Sequence, residues 1–111
     1  MRRILITTVL VSGCSLATVR GPAGETPPRC TRNARPPIVV DAMIGVTGIL
    51  LAPLGFIEDH GMEPTGADMA LGATVGAIGV VAAVSAIAGY RRSDACQQAW
   101  DAYEAEARQS P

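Results

Sequence analysis

An all-α fold, an antiparallel helical hairpin with a small-residue seam, is what this 111-residue sequence predicts, and three observations carry that reading. Two apolar stretches, 38–57 and 67–89, each hold about 20 residues and would as α-helix run about 30 Å, long enough to cross a hydrocarbon core. Small residues recur along both. Asp41, Gly45, Gly48, Ala52 and Gly55 follow one another at alternating steps of four and three, and so do Gly72, Gly76, Gly79, Ala83, Ala86 and then Tyr90. Finally, Cys30 and Cys96 flank the pair.

Alternating fours and threes make the heptad period of a left-handed seam, and small residues along it let two backbones approach closely. Large apolar residues such as Ile44, Leu50, Leu51, Ile78, Val81 and Val84 then fall off the seam. Folding back about the loop 58–68 pairs Gly55 with Gly72, Ala52 with Gly76, Gly48 with Gly79 and Gly45 with Ala83. Carried outward, that register brings Cys30 within about one residue of facing Cys96, so a disulfide closing about 67 residues is expected. Two features read separately therefore converge on one arrangement.

The chain begins Met1-Arg2-Arg3, runs apolar from Ile4 to Val11 and reaches Ser12-Gly13-Cys14. A basic start, a short apolar run and small residues form a secretory signal, assigned to residues 1–13, too short to span a membrane. Val11-Ser12-Gly13-Cys14 resembles a bacterial lipobox, which implies an acylated Cys14 as the mature N-terminus and membrane lipid as its first partner. Ser15 after that cysteine implies sorting to the outer membrane, facing the periplasm. A multiply acylated cysteine anchors stably where a single chain would not.

The remaining residues make one domain at most. All nine basic residues are Arg, and the mature part would keep seven of them against ten acids, a net charge of about −3. That gives no reason to expect nucleic acid as a partner.

Residues 14–37 carry Gly21, Pro22, Gly24, Pro27, Pro28, Pro36 and Pro37, which break any periodicity. A disordered, extended tether between anchor and helices is expected there, with Arg29, Arg32 and Arg35 clustered at its end. Residues 38–109 form the helical unit. Asp41 lies on the seam near the start of the first helix, where the helix dipole favours a carboxylate and Arg91 or Arg92 is within reach across the hairpin. Pro53 kinks or ends that helix, bringing Gly55 close to the loop.

The loop Glu58-Asp59-His60-Gly61-Met62-Glu63-Pro64-Thr65-Gly66-Ala67-Asp68 is acidic and turn-rich, and its spacing matches no EF-hand. Asp68, or Thr65 with its neighbours, is placed to cap the second helix. Beyond Gly89, the residues Cys96, Trp100, Tyr103 and Ala107 continue a helical period, with Glu104 and Arg108 one turn apart, so the second helix extends into an amphipathic C-terminal helix. Tyr90, Trp100 and Tyr103 suit either a membrane interface or packing against the tether.

The order Cys30, Arg35-Pro36-Pro37-Ile38-Val39-Val40-Asp41, two apolar stretches, Ser85-Ala86-Ile87-Ala88-Gly89-Tyr90 and Cys96 resembles short uncharacterised bacterial lipoproteins in which a two-helix hairpin lies between two cysteines. The resemblance implies no activity. The chain is also similar, more weakly, to glycine-zipper outer-membrane lipoproteins, from whose repeated four-residue glycine spacing it departs.

No CxxC, no ligand-spaced histidines and no nucleophile–base pair are present, so neither cofactor, metal nor catalysis is expected. Spanning an inner membrane would place the arginine-rich ends outside and the acidic loop inside, against the positive-inside bias. The outer apolar faces, Ile44, Leu51, Ile78 and Val81 among them, need lipid or self-association. The sequence therefore predicts a lipid-anchored envelope protein of structural or interaction type, with a second copy or another envelope protein as partner. The alternative is a self-assembling, membrane-active or pore-forming hairpin with Asp41 facing the interior.

Overall fold

A computed structural model describes residues 14–57 and 61–111, which are predominantly helical and contain no strand. The signal expected at 1–13 and the loop residues Glu58, Asp59 and His60 lie outside the described residues. Helix α1 covers Cys14–Thr18, α2 covers Arg35–Leu51 and continues as a 3₁₀ segment Ala52–Phe56, and α3 covers Gly66–Gln109. The longest dimension, 77 Å, is little more than the length of about 66 Å that α3 alone requires, and the other described helices all pack against that helix.

The ends of each helix follow from local chemistry. Pro36 and Pro37 open α2, where their missing N–H groups have no helical acceptor to lose. Pro53 cannot donate back into the helix, and the chain tightens there into the 3₁₀ segment. A capping box starts α3. The Thr65 hydroxyl accepts from the Asp68 amide, and the Asp68 carboxylate accepts from the Thr65 amide at 3.0 Å. The Thr65 hydroxyl also donates to Asp68 Oδ2 at 2.6 Å, and this bond first and the Thr65 backbone amide second hold the Asp68 carboxyl below the usual carboxylate range against an opposing effect of desolvation. From there α3 runs without a break for 44 residues, so Gly89 interrupts nothing.

Along the contact between α2 and α3, rising numbers on one helix meet falling numbers on the other. A Cβ on Gly45 would touch Ala83, one on Gly48 would lie 2.7 Å from the Gly79 Cα, one on Gly76 would meet Ala52, and one on Gly55 would lie 2.8 Å from the Gly72 Cα. Backbone lies on backbone at Gly48 and Gly79, where any side chain would force the helices apart. At the open end Cys30 and Cys96 are bonded as a disulfide with Cα atoms 5.8 Å apart.

This contact buries almost no large apolar side chain. The largest fully buried side chains are Val19, Asp41, Cys96, Ser15 and Ser85, whereas Met43, Val46, Leu50, Leu54, Leu71, Val80, Val84 and Ile87 are exposed. Both α2 with its 3₁₀ extension and α3 are long and apolar enough to cross a membrane. Thr74, on the outside of α3, returns its hydroxyl to the carbonyl of Ala70 at 2.7 Å, which satisfies that group without solvent.

Two sequence expectations need correction. Tyr90 does not continue the seam: it is 64% exposed, and Gly89 takes the buried position, followed by Ser93 and Cys96. The α3 line that actually faces inward runs Gly79, Ala82, Ala86, Gly89, Ser93 and Cys96, with Ala83 and Gly76 half-buried. Nor is 14–37 a free tether. It opens as α1, buries Ser15, Val19 and Ala34, returns from Arg20 to Thr31 through paired hydrogen bonds, and surrenders Arg35, Pro36 and Pro37 to α2. The physical reason is the glycine at position 89, which leaves room on α3 for the Ser15 side chain at the start of α1.

Candidate functional site

The chemistry-bearing residues gather where α1 crosses both long helices. Asp41, one turn and a half into α2, is wholly buried. Its Oδ2 accepts from the Ser15 backbone N–H at 3.0 Å, from the Ser15 hydroxyl, and from the Ser85 hydroxyl at 2.8 Å. Ser85 is also the acceptor for the Leu16 N–H at 3.3 Å. Oδ1 of Asp41 is buried with no hydrogen-bond partner among the described residues. A buried carboxylate persists only when donors compensate its lost hydration, and here three donors converge on one oxygen.

Glycine and arginine hold this arrangement in place. A Cβ on Gly89 would lie 2.7 Å from the Ser15 Cβ and 3.2 Å from Ile38, so α1 can settle on α3 only because position 89 has no side chain. Arg92, one turn along, donates from Nη1 to the carbonyls of Leu16 at 2.9 Å and Val19 at 3.3 Å, closing the C-terminal end of α1. The expected pairing of Asp41 with Arg91 or Arg92 is therefore replaced. Hydroxyl and amide donors serve the carboxylate, and Arg92 serves carbonyls. Hydroxyls at Ser15 and Ser85 can reach a site too closely packed for a guanidinium.

Neither a family model, nor a curated protein, nor a solved structure matches this chain. The arrangement must therefore be read from its own chemistry. Ser15 and Ser85 have no histidine or amine beside them in the described contacts, and both hydroxyls are committed to the carboxylate. No group of three or more His, Cys, Asp or Glu stands close enough to hold a metal ion among the described residues. What the cluster does do is neutralise the polarity of the one charged residue on the α2 seam.

Beyond it, at the disulfide end, Arg32 lies 4.9 Å from the Trp100 ring and 3.8 Å from Glu104, which in turn stands 3.7 Å from Arg108. Trp100 and Tyr103 pack edge to face at 5.7 Å. Of the two sequence readings of these rings, packing against the N-terminal segment is the one seen for Trp100. Gly45, Gly48, Ala52, Gly55, Gly72, Gly76, Gly79 and Ala83 meet across the α2–α3 contact, and Ala86 is buried farther along α3. Of Cys14 only its backbone, opening α1, is described. Ser15, Ser85, Gly89 and Arg92 are the site residues that sequence reasoning missed; the one available signal was a lone serine inside an apolar run, Ser85, one residue from the register position that faces Asp41.

Proposed function

We propose that this chain is a lipid-anchored structural or interaction protein of the bacterial cell envelope, an antiparallel helical hairpin carried in the outer membrane by an acylated Cys14 and without catalytic activity. One observation supports it above the others: the two long helices meet backbone to backbone while their large apolar side chains point outward, uncovered. Water gives such a contact little hydrophobic gain, because little apolar area leaves it. In lipid, close packing of small residues is the contact that holds helices together. A second copy or another envelope protein is the further partner, and nucleic acid is not.

The lipobox-like Val11-Ser12-Gly13-Cys14 supplies the anchor. Helix α1 runs from Ser15 beside Asp41 toward Val19 beside Arg92, so Cys14 opens it on the side of the apolar spans. Acyl chains borne there would enter the bilayer alongside the helices. Labelled palmitate should enter the wild-type protein and vanish from Cys14→Ala. Label retained in that variant would remove lipidation from the reading.

A self-assembling, membrane-active hairpin is the second reading. A shallow apolar groove of about 380 Å³ between Met43, Ile44, Leu51, Val75 and Ile78 favours self-association. Asp41 lies buried between helices, so a pore would have to be lined by something else. Dye release from liposomes at rising protein density separates the two, and inert liposomes at every density leave only the first.

A further inference from the structure

Charge is distributed along this molecule in a way that fixes a depth. Between Pro36 and Ile57 the only charged residue is Asp41, which is sealed by Ser15 and Ser85, and between Met69 and Tyr90 there is none. The surfaces free of charge on the two helices are thus matched, each about 33 Å long as helix and close to the thickness of a hydrocarbon core. Exposed apolar side chains on them point in every outward direction, Met43, Val46 and Leu50 on one helix and Val80, Val84 and Ile87 on the other. One protein partner would cover one face, whereas a bilayer covers all of them.

At the disulfide end of this span lies a hollow of about 490 Å³ whose lining is part apolar and part polar. Ile38 and Val39 on α2 and Tyr90 on α3 are the lining residues that belong to the charge-free stretches, and Arg35, Ser93, Asp94 and Gln97 line the remainder with Arg32 and Asn33. Arg32 is engaged by Glu104 and Trp100. Arg35 has no ion pair among the described residues, and Asp94 does not come within 4.0 Å of it. A cation and a phenol beside apolar side chains, at the point where the charge-free surface stops, match a phosphate with an acyl chain beneath it.

We propose that the hollow between Arg35 and Tyr90 seats the phosphate of an anionic glycerophospholipid and so sets the headgroup plane, with the Ser15–Asp41–Ser85 cluster immediately beneath it. This rests on the membrane-embedded reading above, though not on acylation of Cys14. The other end of the span, where Glu63 and Asp68 stand, then reaches the opposite face of the bilayer.

The test uses the full chain in detergent, offered equimolar phosphatidylglycerol and phosphatidylcholine and read by native mass spectrometry, with glycerol 3-phosphate as a separate arm. Wild type should retain phosphatidylglycerol preferentially. Arg35→Gln should lower that preference about fivefold, equivalent to about 1 kcal/mol for one basic group near the surface, while Arg35→Lys keeps most of it. Circular dichroism of each variant checks that the helices remain. Equal retention of the two lipids by wild type, or an unchanged preference in Arg35→Gln, overturns the seat. Binding of glycerol 3-phosphate as tight as that of the lipid overturns it too, since the ligand would then be soluble. Protease treatment in vesicles separates the layers of the argument: protected helices without lipid preference remove only the seat, whereas helices digested in both lipids remove the membrane reading with it.

Discussion

Ser15 stands directly over Gly89, so close that a single methyl group on the glycine would fall 2.7 Å from the serine Cβ. That proximity lets the N-terminal segment deliver two donors to Asp41, one from its backbone and one from its hydroxyl. A missing side chain on α3 thereby governs the hydrogen bonding of a carboxylate on α2.

Gly89→Val should displace α1 and leave Asp41 with Ser85 as its remaining donor. A buried carboxylate stripped of donors costs at least about 1–3 kcal/mol, although the valine itself favours the helix over glycine by a few tenths of a kcal/mol. Net destabilisation in urea or by heating in detergent is the expected outcome, together with faster amide exchange at Ser15 and Leu16. Unchanged exchange there would mean that α1 does not depend on the gap.

Ser85 offers a cleaner measurement, because its hydroxyl contributes to both helices at once, donating to Asp41 and accepting from Leu16. Ser85→Ala should cost about 1–2 kcal/mol, and the same substitution in an Asp41→Asn background should cost less, since the charge that strengthens the bond is gone. Equal costs in the two backgrounds would show that the two side chains are not coupled.

How far the sequence carried this reading depends on what kind of signal each part leaves. Helix positions and the small-residue seam were legible because close backbone approach demands Gly or Ala at a fixed period, and the pairs Gly48–Gly79 and Gly55–Gly72 stand where that period put them. Asp41 was recognisable as the residue needing an explanation. Its partners were not, because opposite charge pointed to arginine, while two ordinary serines, one of them 26 residues before it, carry no pattern. The segment around Val19 and Ala34 read as a tether for a related reason: single apolar residues among prolines and glycines show no period, and their burial depends on the space at Gly89. Tyr90 was misplaced by one residue because the contact beyond Ala86 is made by Ser15 of α1 and Ile38 of α2 together, and it falls on Gly89, which a two-helix period does not register.

The Cys30–Cys96 bridge closes a loop with a sequence separation of 66. On chain-entropy grounds this contributes about 4 kcal/mol by restricting the unfolded chain. Reduction should therefore lower the unfolding midpoint and shift electrophoretic mobility. Because the seam lies farther along the helices, far-UV helicity under native conditions should change little. If protein from the envelope carries free thiols at both positions, that stabilisation is not in use.

Thr65 and Asp68 set the pH behaviour at the other end of α3. The Asp68 carboxyl is held below its ordinary value of 3.8 by the Thr65 hydroxyl and amide, so the ionised form is the one the folded cap prefers. A group depressed in this way contributes its full stabilisation above the unfolded value, and the contribution disappears as the pH falls from about 4 through the lowered folded value. Acid should therefore fray the first turn of α3 while leaving the disulfide end ordered, visible as faster exchange of the Met69 and Ala70 amides below about pH 4 than at pH 6 after correction for intrinsic rates. In Thr65→Ala, which removes the cap at a cost of about 1 kcal/mol, exchange in that turn should be fast at both values and its dependence on pH largely lost. A first turn equally protected across this range in the wild type would show that the box closes without its charge.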